Sequence, residues 1–311
     1  MTKKGQNGKI GNLLVIVGPT AVGKTDHSLS LAMDFDGEIV SADSRLFYEG
    51  MDIGTAKPSI AERTAVPHYL IDICKPDQTL TLGEYQRLAY RTIEEILDRG
   101  RLPILVGGTG QYVMAVVEGW GIPEIAPYPE LRRQLERLGP KELARWLNEL
   151  DPLAAQRIDP RNMRRVVRAL EVCLISGRPI TDLQEKTPPP YNIHIIGLYR
   201  DRESLYQRID RRVDAMIGGG LVEEVEALRD QGYRAYLPSM SGLGYRQILT
   251  YLRGEMSLSE AVDRIKFETH RFARQQDTWF RKDDPRITWF DLQEPYPQKN
   301  IFAQVESWLS D

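Results

Sequence analysis

The octapeptide Gly18-Pro19-Thr20-Ala21-Val22-Gly23-Lys24-Thr25 constrains this chain more than any other stretch. It follows the apolar run Leu13-Leu14-Val15-Ile16-Val17 and precedes a helix-like segment, Asp26 to Phe35. Gly18, Gly23, Lys24 and Thr25 match the pattern GxxxxGK[ST]. Its glycines let the backbone fold around oxygens, so that several N–H groups converge at the positive end of the following helix. Lys24 adds a mobile cation and Thr25 offers a hydroxyl to Mg²⁺. With a strand before it and a helix after it, the loop is a phosphate cradle, and by motif the usual phosphate is that of ATP or GTP.

The first part of the chain alternates strand and helix. After β-like Leu13 to Val17, the strand candidates are Glu38 to Ser41, Tyr69 to Ile73 and Pro103 to Val106. Between the last two, Tyr85, Leu88, Ala89, Ile93, Ile96 and Leu97 have helical spacing. Short buried strands separated by helices predict a parallel, doubly wound sheet, an α/β fold of the P-loop NTPase-like kind. From about Val116 to Pro190 the pattern is helical, broken at Pro140, Pro152, Pro160 and Pro179, and Lys186-Thr187-Pro188-Pro189-Pro190-Tyr191-Asn192 ends it as a stiff linker. Ile193 to Tyr199 then reads as a strand returning to the sheet. The expected organisation is a core of residues 10–115 and 191–311, with an all-helical insertion at 116–190. The remainder reads as helices over Leu205 to Ile217, Leu221 to Gln231, Tyr245 to Leu252 and Leu258 to about Phe280.

With 311 residues, 41% of them hydrophobic, the chain can bury a large core and a second lobe. Its net charge of -3 argues against a protein that merely coats nucleic acid, but not against local basic stripes. The start MTKKGQNGK has no apolar signal region, and no run is long enough to span a membrane. Cys74 and Cys173 stand apart, and the histidines show no zinc spacing. A reduced, cytoplasmic protein, without membrane attachment and without structural metal, is expected.

In a doubly wound sheet, ligands bind at the carboxyl ends of the strands. Asp43 follows the second strand there, beside the cradle. A carboxylate near bound phosphate is costly unless it serves Mg²⁺ or takes a proton. Asp72, after Tyr69-Leu70-Ile71, is a rival Mg²⁺ ligand. The fourth strand ends in Gly107-Gly108-Thr109-Gly110, which offers a hydroxyl and no carboxylate. Arg161, Arg164, Arg165 and Arg168 recur at helical spacing on one face, with Val166, Val167 and Leu170 behind them, a pattern suited to RNA phosphates. Arg208 and Arg212 lie one turn apart, Arg208 reading more as a solvated basic position.

In order along the chain stand GPTAVGKT, SADS…Y.GMDIGTAKP, PHYLIDI, ILVGGTG.Y, RRVVRALEV…SG, RIDRRVDAMI..GLVEEV and GLGYRQ. Together they resemble the tRNA dimethylallyltransferase (tRNA isopentenyltransferase) family, over nearly the whole chain. The resemblance implies transfer of a dimethylallyl group from dimethylallyl diphosphate to the exocyclic N6 of the adenosine just 3′ of a tRNA anticodon. Residues Gly18 to Thr25 would then bind the donor's diphosphate with Mg²⁺, and ATP would not be consumed. Asp43 matches the family's general base, Thr109 a residue between donor phosphate and adenine, and Arg212 an arginine supporting the diphosphate.

The tRNA contacts implied fall on Asp43, Ser44, Arg45, Leu46 and Thr109; on Arg132, Arg164, Arg165, Val166, Val167 and Arg168; and on Gly244, Tyr245, Arg246, Arg274 and Gln275. Gln276 and Arg281 lie in the same late segment, where Trp279 and Phe280 are either base-stacking or core residues. The partners expected are the tRNA anticodon stem-loop and the donor, with the protein as a monomer. The chain departs from the family at Arg45-Leu46-Phe47-Tyr48, where Met-Gln-Val-Tyr is frequent and Leu46 replaces the Gln, at Gln111, and at Gln275, where a basic residue is common. Weaker tRNA affinity, rather than a different reaction, is the expected result. A kinase acting on nucleosides or nucleotides, a prenyltransferase acting on free adenylate, or a non-catalytic RNA-binding switch would share parts of the pattern. The helical insertion favours tRNA over a small acceptor.

Overall fold

The computed structural model of the protein describes residues 11–310. The N-terminal segment read as lacking a signal region, and the residue-10 start of the core, lie outside them. The elements run β1 (Gly11–Val17), α1 (Lys24–Asp34), β2 (Gly37–Ser41), α2 (Ile60–Ala65), β3 (His68–Tyr69), α3 (Leu82–Asp98), β4 (Leu102–Gly107) and α4 (Gly110–Val117). Helices α5 (Pro129–Leu138), α6 (Pro140–Leu150), α7 (Pro152–Arg157), α8 (Met163–Ser176) and α9 (Ile180–Leu183) follow. The chain continues through β5 (Tyr191–Tyr199), α10 (Arg202–Gly218), α11 (Leu221–Asp230), α12 (Tyr245–Leu252), α13 (Leu258–Gln276), β6 (Ile287–Asp291) and α14 (Pro297–Ser310).

The six strands form one all-parallel sheet in the order β3-β2-β4-β1-β5-β6. Leu13 to Val17 of β1 are wholly buried, as a central strand covered on both faces requires. α3 starts at a capping box of Thr81 and Glu84 and buries Tyr85, Ala89, Ile93 and Ile96, the face its spacing predicts. Each such isoleucine contributes about 1.5–3 kcal/mol on burial. The register sets the site: Val17 pairs with Gly107, and Ser41 with Val106, so the chain leaves β1, β2 and β4 at one level.

Two expectations need correction. The third strand ends at Tyr69, because Leu70 (φ 59°) and Asp72 (φ 53°) are left-handed and carry the chain out of the sheet. Asp72 is consequently no candidate Mg²⁺ ligand at a strand tip: it is ion-paired with Lys57 and, at 2.8 Å, with Arg63. The sheet also gains β6, an edge strand in a region read as mainly helical.

The described residues fold as two compact units, one of residues 11–114 and 190–310, the other Ala115–Pro189. The second is a helical body whose core includes Leu135, Leu143, Leu147, Val166 and Leu170. Two buried carboxylates organise it. Asp151 caps α7 through the Ala154 amide and accepts from the Thr181 amide at the start of α9, each at 2.9 Å. Glu171 accepts from Arg132 Nε at 2.8 Å, from the Tyr128 amide at 2.7 Å and from Arg168 Nη1. Burial pushes the Glu171 carboxyl up, but the hydrogen bonds from Arg132, Tyr128 and Arg168 prevail and hold it down at about 2.

Candidate active site

The phosphate cradle is built on backbone geometry that its glycines permit. Gly18 has φ 147°, and a Cβ there would lie 2.5 Å from the Leu198 carbonyl oxygen. Gly23 (φ 118°) precedes α1 with no side-chain cap, which leaves the first-turn amides of that helix for an anion. Lys24 folds back over the loop, its Nζ donating to the Gly18 and Pro19 carbonyls at 2.9 Å each. Desolvation lowers the Lys24 pKa to about 8; the Asp43 carboxylate pulls it back up and the Arg212 guanidinium depresses it.

Three arginines brace this region. Arg208 Nε donates to the Ala21 carbonyl at 2.9 Å, Arg200 Nε to the Val22 carbonyl at 3.2 Å, and Arg212 Nη2 to the Thr55 carbonyl at 3.3 Å. Arg208 is therefore no solvated surface position but a neighbour of the cradle. The helical spacing that put it on one face with Arg212 was the signal, and the position of α10 supplied the meaning. Arg200 had no such signal.

Two cavities open here. The smaller, about 470 Å³, is lined by Lys24, Thr25, Asp43, Arg208 and Arg212, with Ile39, Ala56, Pro58 and Ile71 as an apolar side. The larger, about 740 Å³, is lined by Ser44, Arg45, Thr109, Gly244, Tyr245 and Arg246, among others. Thr20, Ala21, Asp43, Thr55, Arg212 and Phe272 line both. Asp43 and Arg212 thus stand where the space beside the P-loop meets a roomier one. Asp43 Oδ1 accepts from the Arg45 amide at 2.9 Å, and Oδ2 has no hydrogen-bond partner among the described residues. A carboxylate oriented by one oxygen and open at the other is suited to accept a proton.

Other residues singled out from the sequence have varied placements. Leu46 lines the smaller cavity, and Gln275 the larger. Arg45 Nη1 donates to the Pro238 carbonyl at 2.9 Å. Arg246 is ion-paired with Glu268, and Arg274 is bonded to the Tyr206 hydroxyl. Tyr245 is 1% exposed, with its hydroxyl donated to Glu224 at 2.6 Å, so it forms wall rather than a free stacking surface. Glu224 also takes the amides of Asp52, Ile53 and Gly54, which fixes the loop carrying Thr55. Phe280 is core, and Trp279 packs where Gly110 lacks a side chain.

The arginine stripe is shorter than its spacing predicts. α8 begins at Met163 with Asn162 as its cap, so Arg161 lies before the helix and pairs with Asp159 at 2.8 Å. Val166 and Val167, at 1% and 3% exposure, are buried in the helical core; their side chains are out of reach of RNA. Arg132 and Arg168 are engaged with Glu171. Arg164 and Arg165 remain exposed, without an ion pair among the described residues. Sequence reasoning placed Gln276 among RNA contacts, whereas it is buried between the P-loop and the Gly108 loop.

Comparison with known proteins identifies the family. The IPP transferase family model matches residues 46–283. A tRNA dimethylallyltransferase of Roseiflexus sp. (strain RS-1) is 54% identical over 301 residues, covering 96% of this chain and 98% of that protein. The full-length tRNA isopentenylpyrophosphate transferase of Bacillus halodurans, 42% identical, superposes with a TM-score of 0.73 over 96% of this chain and 97% of its own. A eukaryotic dimethylallyltransferase acting on tRNA, 25% identical, superposes with a TM-score of 0.86 over 96% of this chain and 80% of its own. Sequence kinship along almost the entire length, on a shared parallel-sheet fold, makes this chain a member of the IPP transferase family.

Proposed function

We propose that this protein transfers the dimethylallyl group of dimethylallyl diphosphate to N6 of the adenosine just 3′ of a tRNA anticodon, releasing diphosphate. The observation that carries the reading is the shared wall: Asp43 and Arg212 line both the phosphate cavity and the larger space beside it. A donor in one and a base in the other would meet at that wall.

The diphosphate is bound by the first-turn amides of α1, Lys24, Arg208 and Arg212. The five-carbon group lies against Ile39, Ala56, Pro58 and Ile71. As the allylic C–O bond breaks, its electron pair stays on the diphosphate, where these donors stabilise the growing charge more than the ground state. The N6 lone pair forms the new C–N bond, and the N6 proton passes to Asp43 Oδ2. Thr109 supplies a hydroxyl between the two substrates. The adenine must leave its stack to reach this point, which requires a grip on the RNA. Arg164 and Arg165 of the helical unit, and Gln275 and Arg246 of the core, are the groups for it.

Thr25, which lines the smaller cavity, would offer its hydroxyl to Mg²⁺. Among the described residues no group of three His, Cys, Asp or Glu side chains could hold a metal ion, so a Mg²⁺ here would be one brought with the diphosphate rather than held in a protein cage. When bound, Mg²⁺ would supply positive charge to neutralise the leaving group. No described helix is long and apolar enough to cross a membrane. The reading places the reaction in the cytoplasm, with the tRNA it modifies, and the protein acts there as a monomer.

The test incubates the protein with unmodified tRNA, Mg²⁺ and dimethylallyl diphosphate, with ATP as a control, followed by nucleoside mass spectrometry. Prenylated adenosine forming without ATP is the expected result. A requirement for ATP, or no product, overturns the reading.

A further inference from the structure

Gln276 is the last residue of α13 and is only 4% exposed. Its Oε1 accepts from the Thr20 amide at 2.8 Å, and its Nε2 donates to the Gly108 carbonyl at 2.7 Å. One side-chain amide therefore joins the loop after β1 to the loop after β4. These strands are already neighbours, with Val17 opposite Gly107. The ladder ends there, and the two loops beyond it have no strand pairing of their own. The Gln276 amide continues the link past the end of the sheet. Its orientation is unique, because a flipped amide would set donor against donor at Thr20 and acceptor against acceptor at Gly108.

The surroundings are tight. A Cβ on Gly108 would lie 2.3 Å from Gln276 Nε2 and 3.3 Å from Lys24 Nζ, so the glycine, the lysine and the glutamine share one packed corner. Lys24 in turn holds the Gly18 and Pro19 carbonyls, immediately before Thr20. On the same helix, Arg271 and Gln275 line the larger cavity and Phe272 lines both.

We propose that Gln276 is a positioning residue, which locks the Thr20 end of the phosphate cradle to the β4 tip and so ties the wall formed by α13 to the diphosphate site. The proposal rests on the reading above for the occupants of the two cavities; the bridge itself does not depend on it. Gln276 itself lines the smaller cavity, and through the bridge it sets where the leaving group lies relative to the acceptor.

Two variants test it. Gln276→Met keeps the length and removes both hydrogen bonds. Gln276→Glu keeps the acceptor for Thr20 but opposes a carboxylate to the Gly108 carbonyl; once protonated, it donates there again. Affinity for inorganic diphosphate with Mg²⁺ is measured by calorimetry without tRNA, beside kcat, both KM values, tRNA affinity and melting temperature. Gln276→Met is expected to weaken diphosphate binding about tenfold and to lower kcat, with tRNA affinity unchanged. Gln276→Glu is expected to recover diphosphate affinity, relative to the unaltered protein, as pH falls. Diphosphate affinity within twofold in Gln276→Met, or a loss in Gln276→Glu that ignores pH, overturns the proposal. If the unaltered protein binds diphosphate but prenylates no tRNA, the functional reading falls while the calorimetric comparison still decides the role of Gln276.

Discussion

Lys24 makes donor binding depend on pH in a way that can be worked out in sign and size. In the ligand-free protein its pKa is lowered from 10.5 to about 8, first by desolvation and then by Arg212, against the pull of Asp43. A bound diphosphate supplies negative charge to the same ammonium and raises its pKa, so binding takes up a proton between the free and bound values. Affinity is then complete below pH 8 and declines as pH rises above it. With a free pKa of about 8, the charged fraction falls about tenfold between pH 7 and pH 9, and diphosphate affinity should fall about tenfold with it, or about 1.4 kcal/mol. Calorimetry with dimethylallyl diphosphate in two buffers of different ionisation enthalpy reads both the affinity and the proton uptake. Lys24→Arg keeps a charge at every pH tested and should show neither effect. Asp43→Asn removes the group that raises the Lys24 pKa, and should move the break to lower pH. Flat affinity from pH 7 to 9 with no proton uptake at pH 8.5 would refute the argument.

Asp43→Ala is expected to lower kcat about 10²–10⁴-fold with tRNA affinity intact, as removal of a general base does; near-normal turnover in single-turnover assays rules the role out. Reversing Arg164 and Arg165 to glutamate should weaken tRNA binding and flatten its dependence on salt, by a slope of about 1 for each phosphate no longer neutralised, and an unchanged slope in filter binding would count against them. Glu171→Ala leaves the partly buried Arg132 and Arg168 and the Tyr128 amide without their common acceptor, and should cost about 3 kcal/mol in denaturant unfolding. The Glu171 carboxyl is held from 4.5 down to about 2, so its contribution is full above pH 4.5 and disappears as pH falls through 2. A variant whose stability matches the original across that range would contradict the role assigned to it.

Much of this protein was legible residue by residue. The phosphate loop declared itself because its function is local: Gly18, Gly23, Lys24 and Thr25 act through backbone angles and amides within eight positions. Alternating buried runs and amphipathic helices were enough for a parallel sheet, and the strand tips then put Asp43 and Thr109 beside the cradle. The third strand failed because a run of suitable residues, Tyr69 to Ile73, can be interrupted by left-handed turns that no periodicity reports. β6 was missed because an edge strand of five residues carries little pattern.

Partnership is what the sequence by itself did not determine. Spacing alone showed Arg161, Arg164, Arg165 and Arg168 as one stripe and Arg208 and Arg212 as one turn apart, without saying what any of them meets. Tertiary structure turned Arg132 and Arg168 onto a buried carboxylate, left Arg164 and Arg165 in solvent, and set Arg208 and Arg212 in the wall of the cavity beside the P-loop. It also separated Asp72, neutralised by Lys57 and Arg63, from Asp43 with its open oxygen. Gln276 is the extreme case, since its partners stand 256 and 168 positions away. Spacing along a chain states which side of its own element a residue faces; what lies opposite depends on how the elements pack, and only the folded chain brings those partners together.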